Sequence, residues 1–255
     1  MRIGPKPTLT GVLYAFDVVA KYQQELASKG QEAGSGNIEH SLDKYLKLKE
    51  TYPDMVDDNQ IVNYLMLNIL AGGDTTSASM RAIVYYLSKH TSAYNKLVSE
   101  LDAANLSMPA QWKNVQGLTY LDAVIREALR INPGIAMVFE RIVPESGFTL
   151  PDGRFIPGGT NIGINPAVTN RNTDIFGEDA EQFNPDRWLK KDGETEVVFE
   201  NRHRKMKEVA DFVFGGGNRV CMGKYLAMLE IYKLIATLYS LFDVSIFFHV
   251  LGSWD

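Results

Sequence analysis

The amino-acid sequence predicts a mainly α-helical protein with a minor β-sheet, an α+β fold in which helices dominate. Segments 58–90, 91–104 and 120–131 carry apolar residues at the spacing of helices. Between 134 and 175 the chain has short alternating runs rich in Gly, Pro, Val, Ile and Phe, which are typical of small strands joined by turns. No internal repeat is present, so a helical body with a small late sheet is the expected architecture.

The composition indicates a folded globular chain and excludes several classes of function. Of 255 residues, 45% are apolar and 22% are charged, with a formal net charge of −5, so the chain can bury a core and is not expected to be disordered. The mildly acidic balance argues against nucleic-acid binding. One cysteine excludes a disulfide framework and a multi-cysteine zinc or iron–sulfur site. No stretch is predicted to be a transmembrane segment.

The N-terminal part is predicted to be a helix followed by a linker. Residues 8–28 have a loose helical stripe, and residues 30–37 are rich in Gly and Ser. We therefore divide the chain into a helical lead-in with its linker at 1–38 and a core at 39–255. A short helix at 40–50 is expected to open the core.

A long helix is expected to begin at Asp57 or Asp58, which are suitable capping residues, and to run to about His90. Its middle contains the sequence AGGDTT at 71–76. Two glycines in a helix interior cost on the order of 1 kcal/mol each, and such local violations are expected mainly at functional sites. Propensity alone leaves two alternatives open: a helix distorted for a function, or a helix that ends at the glycines.

Three further elements complete the expected fold. The helix at 120–131 should stop at Asn132-Pro133, because a residue before proline disfavours the helical conformation. It contains Glu127 and Arg130, which face each other at i, i+3, a pair that is usually solvated and weak. Residues 176–213 are expected to be mostly irregular, and the basic run within them a solvated loop. A last apolar helix should begin near Cys221.

The single cysteine lies in the sequence FGGGNRVCMG, just before the last predicted helix. A lone cysteine is usually a small buried hydrophobe. Here three glycines precede a helix start, which indicates a backbone folded tightly against another group. A helix N-terminus with Arg219 nearby favours a thiolate, and haem iron is the partner that takes a single cysteine.

These residues resemble the haem-binding loop of the cytochrome P-450 monooxygenases, Phe-x-x-Gly-x-Arg-x-Cys-x-Gly. The fixed positions stand here as Phe214, Gly217, Arg219, Cys221 and Gly223. The sequence AGGDTT resembles the oxygen-binding groove of the same family, and Glu-x-x-Arg and FNPDRW follow in the family's order. The sequence around Pro133 and Arg141 resembles that of fungal microsomal members of the pisatin demethylase and benzoate hydroxylase type, which act on aromatic or secondary-metabolite substrates.

The resemblance implies a role for each matched residue. Cys221 would be the axial ligand of haem b, and Asp74 with Thr75 would deliver protons to bound dioxygen. Electrons would come from NADPH through a reductase, and a small lipophilic or aromatic substrate would be hydroxylated or demethylated. The other residues expected to bind the cofactor are Arg219, Arg141, Phe214, Gly215, Gly223 and Gly72. The residues expected to line the substrate pocket are Ala71, Thr76, Ile135, Ala136, Met137 and Val138, although core packing explains the last four equally well.

The resemblance also implies a structural network and a shortened fold. Arg187 would join Glu127 and Arg130 in a buried charge cluster with no catalytic role. Family members are substantially longer, so we expect the C-terminal part of the P-450 fold, without the N-terminal half and without the final hairpin. The family's location is the cytosolic face of the endoplasmic reticulum; a chain without the anchor would be cytoplasmic.

Two other functions stay open. One is a haem-thiolate isomerase or dehydratase, against which the Asp74–Thr75 pair argues, since such chemistry needs no proton delivery to dioxygen. The other is a fragment without catalytic activity that exposes apolar surface.

Overall fold

The structure is a computed structural model that describes residues 13–14, 16–22, 24 and 41–244. The chain divides into two compact units, Met1–Asp74 and Thr75–Asp255. The described residues between 13 and 24 are helical, as predicted, whereas the expected linker at 30–37 lies outside the described residues. The division of the chain at residue 38 stays a prediction.

The first unit contains helix α1 (Ser41–Thr51) and the start of helix α2 (Asp58–Lys89). Helix α2 continues into the second unit. The Asp57 carboxylate accepts a hydrogen bond of 2.8 Å from the Gln60 N–H, which caps α2 where the sequence placed its start. The first unit has its own apolar cluster, formed by Val19, Leu42, Val56, Ile61, Val62 and Met66. Helix α2 runs through both central glycines without interruption, so the alternative of a helix end at this point is wrong.

The core of the second unit is formed mainly by helices that pack around α5. Helix α5 spans Thr119–Ile131, and the helices around it are α3 (Thr91–Ala104), α4 (Trp112–Val115) and α9 (Lys224–Leu241). Ten of the thirteen residues of α5 are buried, and its first N–H groups, those of Tyr120 and Leu121, donate to the Glu100 carboxylate of α3 at 2.8 and 2.9 Å. An acceptor at a helix start satisfies N–H groups that have no partner within the helix. The predicted helix at 120–131 is therefore present, and its N-terminal end is held by α3.

The minor β-structure consists of two antiparallel strand pairs. Strand β1 (Phe139–Ile142) pairs with β4 (Asn161–Ile164), and β2 (Phe148–Thr149) pairs with β3 (Phe155–Ile156). Phe139 lies opposite Ile164 in the longer pair. The mainly α fold with a small β part is thus confirmed, with the β part split into two separate two-stranded sheets among the described residues.

The prediction that residues 176–213 are mostly irregular is wrong over its second half. After two short helices, α6 (Pro166–Thr169) and α7 (Thr173–Phe176), and a 3₁₀ turn at Pro185–Trp188, the chain forms the 15-residue helix α8 (Glu196–Ala210). Only Met206 and Ala210 of α8 are buried, so the apolar periodicity that identifies most helices is missing.

Polar contacts compensate for the weak apolar face of α8. The basic run predicted as a solvated loop lies on this helix, and its Arg202 donates two hydrogen bonds of 2.8 Å to the Glu194 carboxylate. The same guanidinium donates to the carbonyl oxygens of Arg187 and Leu189, at 2.5 and 2.8 Å.

Within the described residues, none of the helices is both long and apolar enough to cross a membrane.

Candidate functional site

The cysteine loop, which we define as residues 212–223, joins a 3₁₀ turn at Asp211–Phe214 to helix α9. The Cys221 N–H donates to the Phe214 carbonyl oxygen at 2.8 Å, and the Gly215 N–H donates to that of Phe212, also at 2.8 Å. The first bond draws the two ends of the loop together, and the second closes the turn at its start. The Cys221 side chain is exposed, so its alternative interpretation as a buried hydrophobe is wrong.

Gly215 is required by the backbone of this loop. Its φ is +74° with ψ −166°, a region open essentially to glycine alone. A Cβ atom at this position would also lie 3.2 Å from the Arg219 carbonyl oxygen. The backbone at this position therefore requires a residue without a side chain.

Helix α9 begins three residues after the cysteine, at Lys224, with Gly223 as its N-cap. A Cβ atom on Gly223 would stand 3.9 Å from the Cys221 Sγ, an ordinary contact distance. The thiol thus lies just before the N-terminus of the helix, and it is exposed.

The two arginines expected to bind the cofactor lie near the same loop. Arg219 is exposed within it. Arg141 is exposed on β1, where its guanidinium donates to the Glu140 carbonyl oxygen at 2.7 Å. Strand β1 packs on the loop because the rings of Phe139 and Phe212 lie 5.5 Å apart. The expected pocket residues before β1 are exposed as well: Ile135, Ala136, Met137 and Val138.

The AGGDTT sequence lies in the middle of α2. Ala71, Gly72 and Asp74 are exposed and Thr76 is buried. A Cβ atom on Gly72 would meet nothing within 4 Å among the described residues, so no described neighbour requires a glycine there.

Thr75 is held close to a turn that follows α5. Its carbonyl oxygen accepts a 2.9 Å hydrogen bond from the Ser79 hydroxyl, a side-chain bond that often bends a helix. A Cβ atom on Gly134 would lie 3.5 Å from the Thr75 Cβ. The predicted proton-delivery residue is therefore partly covered by the chain after Pro133.

Glu127, on α5, is the centre of the buried charge network. Its side chain and that of Arg130 are fully buried, and that of Arg187 is 5% exposed. The Glu127 carboxylate accepts five hydrogen bonds of 2.8 to 2.9 Å. Their donors are Arg130 Nε and Nη2, Arg187 Nε, Trp188 Nε1 and the Asn184 N–H. The structure thus brings together the three residues that the sequence grouped.

Both arginines use every N–H group that a guanidinium has. Arg130 donates its remaining bonds to three carbonyl oxygens, those of Asn170, Ala180 and Gln182, at 2.6 to 3.1 Å. Arg187 donates to the Phe176 carbonyl oxygen and to the Asp179 carboxylate, and also to the carbonyl oxygens of Asp179 and Gln182. Buried charges that are fully paired in this way avoid the penalty of desolvation without a partner.

Sequence reasoning missed Trp188, Asn184 and Asp179 as members of this network. A signal for Asn184 was available, because Asn-Pro-Asp is a typical turn sequence, and the Asn184 side chain does cap the 3₁₀ turn by accepting from the Asp186 N–H at 3.1 Å. Burial acts to raise the pKa of Asp179, but hydrogen bonds from Asn184 and Arg187 outweigh it, so the pKa lies below its usual value. Asp179 is therefore a second carboxylate that balances the arginines.

The residues of the cysteine loop fit a haem group by their chemistry. An exposed thiol supplies one soft axial ligand, and exposed guanidinium groups match carboxylates such as the propionates of haem. Apolar side chains next to the thiol are open to solvent, with Met222 at 93% and Val220 at 46% exposure. A large apolar macrocycle with an acidic edge is the kind of ligand that such a surface suits.

Comparisons with known proteins agree with this chemistry. The cytochrome P-450 family model matches residues 3–248. The cytochrome P-450 monooxygenase cfoH of Aspergillus candidus is 37% identical over 243 residues, which cover 95% of this chain and 44% of the relative. A cytochrome P-450 monooxygenase of Aspergillus terreus is 47% identical over 182 residues, which cover 70% of this chain and 35% of the relative. The monooxygenase mfmA of Annulohypoxylon moriforme is 34% identical over 262 residues, 99% of this chain and 49% of the relative.

The helical fold with its minor β part and these comparisons together show the class of protein. The chain belongs to the cytochrome P-450 family. It spans about half or less of the length of these curated relatives. The family resemblance drawn from the motifs is confirmed, and the pisatin demethylase type stays a prediction.

Proposed function

We propose that the chain supplies the haem-ligating and oxygen-handling part of a haem-thiolate monooxygenase. The observation that carries this proposal is the presentation of one exposed thiol, Cys221, on a loop closed by two backbone hydrogen bonds at a glycine-dependent turn. When bound, haem b supplies dioxygen activation with electrons from an NADPH-dependent reductase.

The loop residues hold and orient the cofactor in this proposal. Cys221 would hold the haem iron through its sulfur, and a thiolate there would supply the electron density that suits the group to oxygen chemistry. Arg219 and Arg141 bind the propionate carboxylates, since a planar guanidinium matches the two oxygens of a carboxylate. Gly215 and Gly223 let the backbone approach the ring closely, and the Phe214 carbonyl oxygen fixes the Cys221 N–H.

Helix α2 supplies the acid–alcohol pair. In this proposal Asp74 and the Thr75 hydroxyl relay protons towards dioxygen, and Gly72, where a Cβ atom would meet no described residue within 4 Å, lies in the same stretch of the helix. The Ser79–Thr75 hydrogen bond is consistent with a helix that is deformed at this point. Ala71 and Thr76 lie within the same turn as candidates for contact with substrate.

The substrate in this proposal is a small lipophilic or aromatic molecule that is hydroxylated or demethylated. Support comes from the exposed apolar residues before β1, Ile135, Met137 and Val138, which offer hydrophobic contact without a charged group. The relatives are fungal monooxygenases, which fits the aromatic or secondary-metabolite substrates expected from the motifs. The proposed site of action in the cell is the cytosolic face of the endoplasmic reticulum, the location of the family.

The test is a carbon monoxide difference spectrum of the reduced protein after reconstitution with haem. The wild-type chain is expected to give the red-shifted Soret band of a thiolate-ligated haem. Cys221→Ala should lose this band, and Cys221→His should retain haem through its imidazole but show no thiolate band. The histidine variant is the matched control, because it separates loss of the thiolate from loss of haem.

The other outcomes assign the rival functions. A wild-type chain that takes up no haem and aggregates would identify a fragment without activity. An isomerase or dehydratase of this kind rearranges a peroxide substrate. It would be identified if the chain gives the thiolate band and oxidises no NADPH with a reductase, and if Asp74→Asn leaves the peroxide rearrangement unchanged.

A further inference from the structure

The two ends of the cysteine loop are linked by side chains as well as by the backbone. Asp211 directly precedes the loop and Lys224 directly follows it. The Lys224 Nζ lies 3.0 Å from the Asp211 Oδ2. The same ammonium group lies 5.3 Å from the centre of the Phe214 ring, over one end of the loop. A single cation therefore contacts both the residue before the loop and an aromatic ring within it.

Asp211 is in turn tied to the core of the second unit. Its other carboxylate oxygen is 3.3 Å from the Arg126 Nη1 on α5. Arg126 also donates to the Asp122 carboxylate at 2.6 Å, and Asp122 accepts a hydrogen bond from the hydroxyl of Tyr232, a buried residue of α9. The chain of contacts thus starts at the buried face of α9, crosses α5 and ends at the loop.

We propose that Lys224 and Asp211, anchored by Arg126, are positioning residues that hold the cysteine loop closed and so fix the orientation of the Cys221 thiol. This inference rests on the proposed role of Cys221 as a ligand. None of the three residues needs to touch the cofactor, because each acts through the backbone on either side of the loop. The ion pair is only partly exposed, with side-chain exposures of 25% and 34%, so solvent screens it less than a surface pair.

The first test measures amide hydrogen exchange of residues 212–223 in the haem-free full chain, by mass spectrometry of peptides. Lys224→Gln is expected to speed exchange in this loop by roughly threefold to fivefold, the change expected when an ion pair of this exposure is lost. Asp211→Asn should act in the same direction and more strongly, because it removes the partner of two cations. Exchange in α5 should stay at the wild-type rate.

Two controls separate positioning from a general loss of charge or fold. Lys224→Arg keeps the cation and its donors and is expected to restore slow exchange. Lys205→Gln removes the same charge from an exposed residue of α8 and should leave the loop unchanged. On haem-loaded protein, Lys224→Gln should lower the share of the thiolate-type carbon monoxide band at equal haem content, and Lys224→Arg should not.

A further measurement varies the salt concentration and can be made on the wild-type chain. The Debye length shortens from about 10 Å at 0.1 M to about 3 Å at 1 M ionic strength, so raising the salt should speed exchange in the wild-type loop and leave the already open Lys224→Gln loop almost unaffected. Exchange at the wild-type rate in Lys224→Gln, or an equal increase in the Lys205→Gln control, would overturn the proposal. The hydrogen-exchange measurements need no haem. Failure of the proposed haem function would therefore be distinguishable from failure of the positioning role of Lys224 and Asp211.

Discussion

The Glu127 network and the cysteine loop lie in the same unit but are built in opposite ways. The network is buried, and every N–H of its two arginines has an acceptor. The loop is held by a few backbone bonds and one partly exposed ion pair, and its thiol, its arginine and Met222 are exposed. The difference indicates that stability is concentrated where no ligand can reach, and reactive groups are placed where little stability depends on them.

The largest effect is expected from Glu127→Gln. Removing the charge leaves the buried Arg130 guanidinium without an anion and Arg187 with Asp179 alone, which should lower the free energy of unfolding by about 3–5 kcal/mol. Urea denaturation followed by circular dichroism measures it. The matched control is Glu181→Gln, which removes an exposed carboxylate paired with Arg171 at 2.8 Å and should cost about 0–1 kcal/mol. Equal losses in the two variants would remove the contrast between network and surface.

A smaller effect is expected from Gly215→Ala, within the loop. An alanine at φ +74° is strained and would crowd the Arg219 carbonyl oxygen, a cost of about 1–3 kcal/mol. Gly117→Ala is the control, because a Cβ atom there meets nothing within 4 Å among the described residues; it should change stability by less than about 0.5 kcal/mol. If both variants unfold at the same urea concentration, the turn does not depend on glycine.

The pH dependence of stability should reveal the polar support of α8. Hydrogen bonds from Arg202 hold the pKa of Glu194 at about 2, against 4.5 for a free glutamate. Because the folded pKa is the lower one, this stabilisation is complete above pH 4.5 and is lost as the pH falls towards 2. We expect the Tm of Glu194→Gln to fall less than that of the wild type between pH 5 and 3. Parallel curves of Tm against pH would contradict this.

The smallest effect on stability is expected from Cys221→Ser. The side chain is exposed, so the haem-free variant should unfold within about 0.5 kcal/mol of the wild type, although it should lose the thiolate spectrum completely. Thermal unfolding with and without haem is the measurement. A large loss in the haem-free chain would mean that the loop carries more of the fold than its exposure indicates.

The sequence predicted most reliably those parts whose signal is local. The apolar periodicity of α5 and the capping residue Asp57 placed their helices correctly, and the glycine-rich cysteine loop was identified from one continuous string. The grouping of Glu127, Arg130 and Arg187 needed the family resemblance, because residues 60 positions apart carry no local signal of contact.

Other features had no signal that pattern reasoning can read. Helix α8 was missed because polar contacts around Arg202 hold it and its apolar face is short. Propensity could not decide whether α2 ends at its glycines, since the cost of two glycines is small compared with what a long helix gains by packing. The partners of Arg130 are mostly backbone carbonyl oxygens, which every residue has.

Those carbonyl oxygens have a consequence for how the chain can vary. The segment from α6 to the 3₁₀ turn at Pro185–Trp188 consists of short helices and turns, a kind of segment that usually tolerates insertions. Here two guanidinium groups act as a fixed template for the backbone at Asn170, Phe176, Ala180 and Gln182. Adding or deleting one residue would shift every later carbonyl out of register with its donor. In evolution this segment should therefore keep its length, while the side chains that take no part in the network are free to change.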